Sequence, residues 1–204
     1  MSGGAPRLRR ALALGLLSLS LSATIPAAAY AATDPEIPAA AEGADLASDG
    51  LRPGQYRWHP AAAPGDGPVA IVVSLPLQRA FVFRSGALIG VSTISSGQPG
   101  YDTPTGTFPI LQKEVDHHSN LYDDAPMPFM QRLTWDGVAL HAGQIPGHPA
   151  SHGCVRLPRA FAQRLYGVTA LGSQVVVTDE APSSPEEALA LAAPLPVATQ
   201  LAAD

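Results

Sequence analysis

Residues 141–157 read HAGQIPGHPASHGCVRL. The segment holds the chain's single cysteine, Cys154, and His141, His148 and His152, three of its six histidines. An unassisted thiol is only a few per cent ionised at neutral pH, so a cysteine that acts as a nucleophile needs a base beside it. Pro146, Pro149, Gly143, Gly147 and Gly153 make the segment turn-rich, which suits a loop that folds back to set two side chains against each other. Upstream, Asp136-Gly137 separates the strand-like runs 129–135 and 138–141. This is the strongest short-range hairpin signal in the chain, and it puts His141 at the end of a strand. Downstream, Pro158 suits a first helical position, Phe161 and Leu165 stand one turn apart, and Gly167 suits the stop.

Working outward, residues 69–75 are β-branched and apolar, and 79–84 and 87–95 flank Ser85-Gly86, a pair consistent with a hairpin turn. Gln98-Pro99-Gly100 and Thr103-Pro104-Thr105-Gly106 are turn chemistry, followed by a strand over 107–112, and 174–178 closes the domain as a last strand. The expected fold is therefore mostly β, over 67–180, with one helix after the cysteine. Residues 114–127, EVDHHSNLYDDAPM, are polar and lack either period, which predicts a long loop, either a binding loop or lid or a stretch of plain surface disorder. His117, His118, Asp123 and Asp124 lie in it at a spacing that matches no defined metal site. Trp135 and Phe129 read as packing residues on the hairpin, and Met127 and Met130 as core or groove.

The flanks carry different signals. Arg7, Arg9 and Arg10 precede an apolar run too short to span a bilayer, and Ala29-Tyr30-Ala31 supplies a small-x-small cleavage pattern, so 1–31 is expected to be a secretory signal peptide. Its removal takes three positive charges from a chain whose formal net charge is −5, which argues against nucleic acid as a partner. Residues 32–66 are rich in Ala, Pro, Gly and Asp and read as a flexible linker, interrupted by Tyr56, Trp58 and His59. The Ala/Pro-rich 181–204 reads as a disordered tail in which a short helix can start at Pro185 and is broken by Pro194 and Pro196. With one cysteine no internal disulfide is possible, which leaves Cys154 as buried filler, an intermolecular bridge or a reactive thiol.

Nucleophilic catalysis at Cys154 needs a base and donors for a developing oxyanion. Gly153 lets the backbone turn tightly, so the Gly153 and Cys154 amides can point into one small space. His152 is adjacent to the Gly-Cys pair, where neighbouring side chains on an extended segment diverge. His141 arrives from a separate strand and is the better base, with His148 and His152 as alternatives. Arg156, two residues from the cysteine, shares its face on an extended segment and can favour the thiolate or hold a substrate carboxylate.

Ser151-His152-Gly153-Cys154-Val155-Arg156-Leu157, preceded by a strand ending in His141, resembles the catalytic signature of the L,D-transpeptidase (YkuD) family, and Thr103-Pro104-Thr105-Gly106-Thr107-Phe108 resembles that family's TPTG-type hairpin. The resemblance implies an L,D-transpeptidase-like β-sandwich that acts in the periplasm or at the cell wall on peptidoglycan stem peptides. Cys154 would be the nucleophile and His141 the base. The backbone carbonyl of Ala142 would orient the imidazole, and Ser151, His152, Gly153 and Arg156 would line the site. It implies an acyl-enzyme that releases terminal D-Ala and passes the acyl group to an amine on peptidoglycan or a wall-attached protein, with no metal or organic cofactor. The rival outcomes are hydrolysis, as in an L,D-carboxypeptidase or other murein hydrolase, a zinc site built from His141, His148, His152 and Cys154, and a non-catalytic wall-binding domain.

Overall fold

The computed structural model describes Met1, residues 50–121 and residues 124–192. The expected signal peptide, the first part of the linker and the last part of the tail lie outside the described residues. In chain order the elements are β1 (Tyr56–Trp58), a 3-10 turn (Pro60–Ala62), β2 (Val69–Ser74), β3 (Arg79–Arg84), β4 (Ala87–Thr93), β5 (Gly106–Pro109) and β6 (Gln112–His118). There follow β7 (Pro126–Arg132), β8 (Ala139–Ala142), β9 (Val155–Leu157), α1 (Arg159–Val168), β10 (Gln174–Thr178) and α2 (Pro185–Ala192). The strands form a six-stranded sheet, β1-β4-β3-β2-β10-β5, and a four-stranded one, β6-β7-β8-β9.

β2, β3 and β10 are near-continuous apolar runs because the larger sheet is covered on both faces. Ile71, Val73, Val82, Val175 and Val177 face one core, which they share with Leu140, Val155 and Leu157 of the smaller sheet and Phe161 and Leu165 of α1. The alternate residues Val72, Phe81, Phe83 and Val176 turn to the opposite face, where Leu51, Ala188 and Ala192 cover them. This is the period-two alternation of a strand, with both phases apolar. The β3–β4 turn has Ser85 at φ 49° and Gly86 at φ 83°, the two positive values of a type I′ hairpin turn that Ser-Gly foreshadows.

Four expectations are corrected. The linker over 32–66 ends earlier than its composition suggests, since β1 pairs antiparallel with β4, placing Tyr56 opposite Ser92 and Trp58 opposite Gly90. Tyr56 and Trp58 pack edge-on to Phe161, with ring centroids 5.6 and 5.4 Å away. Burying one such ring contributes roughly 1.5–3 kcal/mol, enough to hold a short strand whose neighbours are polar. The tail is not disordered throughout: the short helix expected to start at Pro185 is present as α2 and lays Ala188 and Ala192 on the outer sheet face.

Third, half of 114–127 is strand rather than loop. β6 and β7 form an antiparallel hairpin, with Gln112 opposite Arg132 and His118 opposite Pro126. β6 buries neither face completely, so it shows no apolar alternation, and polar contacts hold it instead. Lys113 Nζ donates to the carbonyls of Tyr166 and Thr169, at 2.7 Å each, and so caps the C-terminal turn of α1. The expected strand over 107–112 is correspondingly two strands, broken at Ile110 and Leu111 as the chain passes between sheets. Fourth, Trp135 is exposed rather than packed, while Met127 and Met130 are buried as expected.

Candidate active site

β8 and β9 run parallel, with Leu140 opposite Val155, His141 opposite Arg156 and Ala142 opposite Leu157. Residues opposite each other in a sheet project from the same face and successive ones alternate. His141 and Arg156 therefore share a face, and Cys154, which immediately precedes β9 and stands two positions before Arg156, falls on that side by the same alternation, level with Ala139. Cys154 Sγ donates to the Gly137 carbonyl at 3.4 Å, which ties the thiol to the β7–β8 turn.

His141 is buried at 7% exposure, and its Nδ1 lies 2.9 Å from the Ala142 carbonyl oxygen. A carbonyl can only accept, so Nδ1 carries the proton and Nε2 is left with the basic lone pair. Burial holds the imidazole pKa down to about 4; the Ala142 carbonyl opposes this, and the guanidinium of Arg156, followed by His117, adds to it. Burial pushes the Cys154 thiol up, against the Ala139 backbone contact and the charges of Arg156 and Arg132, which pull it down. Both shifts favour the neutral forms, thiol and imidazole, at neutral pH.

The nucleophile loop is held from within. Ser151 Oγ donates to the Cys154 carbonyl at 2.5 Å and accepts from the Gly153 N–H at 3.1 Å. Gly153 sits at φ 110°, a conformation open to glycine and rarely to other residues. With its N–H bonded to Ser151, Gly153 has less to offer an oxyanion than its sequence position suggests, whereas the Cys154 N–H has no acceptor among the described residues. The loop is also stitched to the segment after β4: Ser95 and Arg156 exchange N–H to O bonds of 3.1 and 3.0 Å, and Gln98 N donates to the Ser151 carbonyl at 3.0 Å.

The other sequence-picked histidines are surface residues. His148 is exposed, with Nδ1 3.0 Å from the Pro149 carbonyl. His152 is exposed and meets the Tyr101 ring edge-on at 4.6 Å between centroids. Arg156 makes no ion pair among the described residues, and its aliphatic stem runs against Gly143, where an added Cβ would lie 2.9 Å from Arg156 Cγ.

Two groups that the motif reading missed act on the pair from the β6–β7 hairpin. Arg132 Nε donates to Gln112 Oε1 at 2.7 Å, its Nη2 lies 3.5 Å from His117 Nε2, and His117 Nδ1 lies 2.6 Å from Glu114 Oε2. Only the run of polar residues between Gln112 and His117 hinted at this network. His118 pairs with Asp124 instead, at 3.3 Å. No group of three or more His, Cys, Asp or Glu is placed to hold a metal ion among the described residues. A cavity of about 310 Å³, lined by Leu51, Leu77, Ile94 and Ile145 among others, includes neither Cys154 nor His141 in its wall.

Residues 68–177 match the YkuD model, described as the L,D-transpeptidase catalytic domain. The chain is 30% identical over 106 residues to probable L,D-transpeptidase 3 of Mycobacterium tuberculosis (strain ATCC 25618 / H37Rv), a match covering 44% of this chain and 39% of that relative. Among solved structures, an L,D-transpeptidase from Stackebrandtia nassauensis is similar at 27% identity and a TM-score of 0.52, over 60% of this chain and 61% of that one. An L,D-transpeptidase from Mycobacterium smegmatis is similar at 25% identity and a TM-score of 0.51, over 54% and 58%. The chain belongs to the YkuD family of L,D-transpeptidase catalytic domains.

Proposed function

We propose that this protein is a cysteine-dependent L,D-transpeptidase that acts on peptidoglycan stem peptides. Cys154 Sγ attacks the carbonyl of the stem's third residue while His141 Nε2 takes the thiol proton. The tetrahedral oxyanion accepts from the Cys154 N–H, the peptide bond to the terminal D-Ala breaks, and its nitrogen leaves with the proton from His141. An amine then attacks the thioester, loses a proton to His141, and expels the Cys154 thiolate, which takes that proton back from His141. The Ala142 carbonyl keeps the imidazole in the tautomer this requires. Arg156, with no ion pair among the described residues, can hold a substrate carboxylate. Ser151 and Gly153 shape the loop, and His152 lines the entrance. The leader-like sequence at 1–31 and this substrate support a location in the periplasm or at the cell wall.

The observation that supports the reading is the β8–β9 register, which sets His141 opposite Arg156, the residue two positions after Cys154. The test is to incubate the protein and its Cys154→Ala variant with tetrapeptide muropeptides and resolve the products by mass. Cross-linked dimer with loss of D-Ala is expected from the unaltered protein alone. Tripeptide without dimer would assign the L,D-carboxypeptidase reaction instead, and undiminished turnover in the variant would sink the thiol mechanism.

A further inference from the structure

Thr103, the first residue of the Thr-Pro-Thr-Gly turn, is distant in sequence from the nucleophile and buried at 5% exposure. Its hydroxyl makes two hydrogen bonds in opposite senses: it accepts from the Gly97 N–H at 2.8 Å and donates to the Gly153 carbonyl at 2.9 Å. The loop that carries it leaves no slack. An added Cβ on Gly97 would lie 1.9 Å from the Tyr101 carbonyl oxygen, and one on Gly153 would meet the Tyr101 and Asp102 carbonyls at 3.8 and 3.9 Å. The loop from Gly97 to Thr103 thus lies directly against the backbone of Gly153.

The Gly153 carbonyl and the Cys154 N–H belong to one peptide unit, and no peptide bond described is cis. In a planar trans unit the two point in opposite directions. A hydroxyl that holds the carbonyl therefore fixes where the N–H points. Ser151 holds the other two polar groups of the pair, the Gly153 N–H and the Cys154 carbonyl, which leaves the Cys154 N–H as the one without an acceptor among the described residues.

We propose that Thr103 is a positioning residue for the acylation step: through the Gly153 carbonyl it aims the Cys154 N–H at the developing oxyanion. The proposal rests on the acyl-enzyme reading above. The hydroxyl is needed for both of its bonds, and the methyl group is not, so Ser can replace Thr but Val cannot. A correctly aimed donor stabilises charge that exists only in the tetrahedral state. Loss of the hydroxyl should therefore slow attack on a carbonyl and leave the thiol's reactivity in a displacement that makes no oxyanion.

The test compares two reagents on the full chain by intact mass. A carbapenem acylates Cys154: Sγ bonds to the lactam carbonyl carbon, the C–N bond breaks, and the thiol proton ends on the ring nitrogen. Iodoacetamide alkylates it: Sγ bonds to the methylene carbon, iodide leaves, and the thiol proton goes to solvent. For Thr103→Val, acylation is expected to fall roughly tenfold to a hundredfold, the scale of a weakened oxyanion donor, while alkylation stays within about twofold and Thr103→Ser recovers most of the acylation rate. If Val is not accommodated, Thr103→Ala takes its place in the same comparison with Ser. Equal loss of both rates, no loss of acylation, or no recovery with Ser would overturn the proposal alone. No adduct on Cys154 of the unaltered protein with the carbapenem would overturn the acyl-enzyme reading, and this proposal with it.

Discussion

Replacing His141 by Gln should flatten the acid side of the protein's stability profile. Burial lowers the His141 pKa from 6.5 to about 4, so between those values the unfolded chain binds a proton that the folded protein does not. Stability is fully present above pH 6.5 and is lost progressively as pH falls towards 4, below which both states are protonated and the loss is complete. At 1.36 kcal/mol for each pH unit between the two values, His141 alone removes about 3 kcal/mol over this window. Urea denaturation of the unaltered protein and His141→Gln at several pH values from 7.5 to 4, about the range in which both remain measurable, gives the difference directly. Carboxylates contribute equally to both proteins and cancel. The unaltered protein should lose about 3 kcal/mol more than the variant. Parallel profiles would refute the reasoning, because they would mean that the imidazole protonates in place and is not shielded as its position implies.

Two further outcomes follow from packing. Gly90→Ala would put a Cβ 2.6 Å from Trp58 Cε3 and 3.2 Å from Phe161 Cε2, so thermal denaturation should show a loss of about 1–3 kcal/mol, and an unchanged midpoint would mean that β1 is not held by its rings. Lys113→Met keeps the aliphatic stem but removes two donors from the end of α1; about 1–3 kcal/mol should be lost in urea denaturation, and no loss would count against the lysine as the cap.

Where one face of a strand is apolar and a turn has demanding geometry, the sequence was easy to read. β3, β4 and the Ser85-Gly86 turn came out at nearly their observed bounds, and β10 at its own bounds. α1 was legible from Phe161 and Leu165, both fully buried. β6 was not, because it is ordered by backbone pairing and polar side chains on a strand that buries neither face, and no hydrophobic period records such an arrangement. β1 failed for a related reason: its stability comes from Phe161, Gly90 and Ser92, all far along the chain. In the site, Cys154 stood out by being the single cysteine, and His141 by the strand that delivers it. The hydrogen bond that occupies the Gly153 amide depends on where Ser151 Oγ lies, and the influence of Arg132 and His117 depends on how the β6–β7 hairpin folds over. Neither has a sequence spacing of its own.

The outer face of the six-stranded sheet is completed by residues on both sides of the matched family segment. Val72, Phe81, Phe83, Val91 and Val176 are covered by Leu51 from before the matched family segment and by Ala188 and Ala192 from after it. The stretch that relatives have in common is thus shorter than the stretch that keeps water off its own sheet. The two flanking segments meet on a single surface, one as irregular chain before β1 and the other as a helix, and act as halves of one lid over hydrophobic area of the matched stretch. A boundary drawn by family likeness marks what is inherited; the boundary of the cooperative unit lies outside it on both sides.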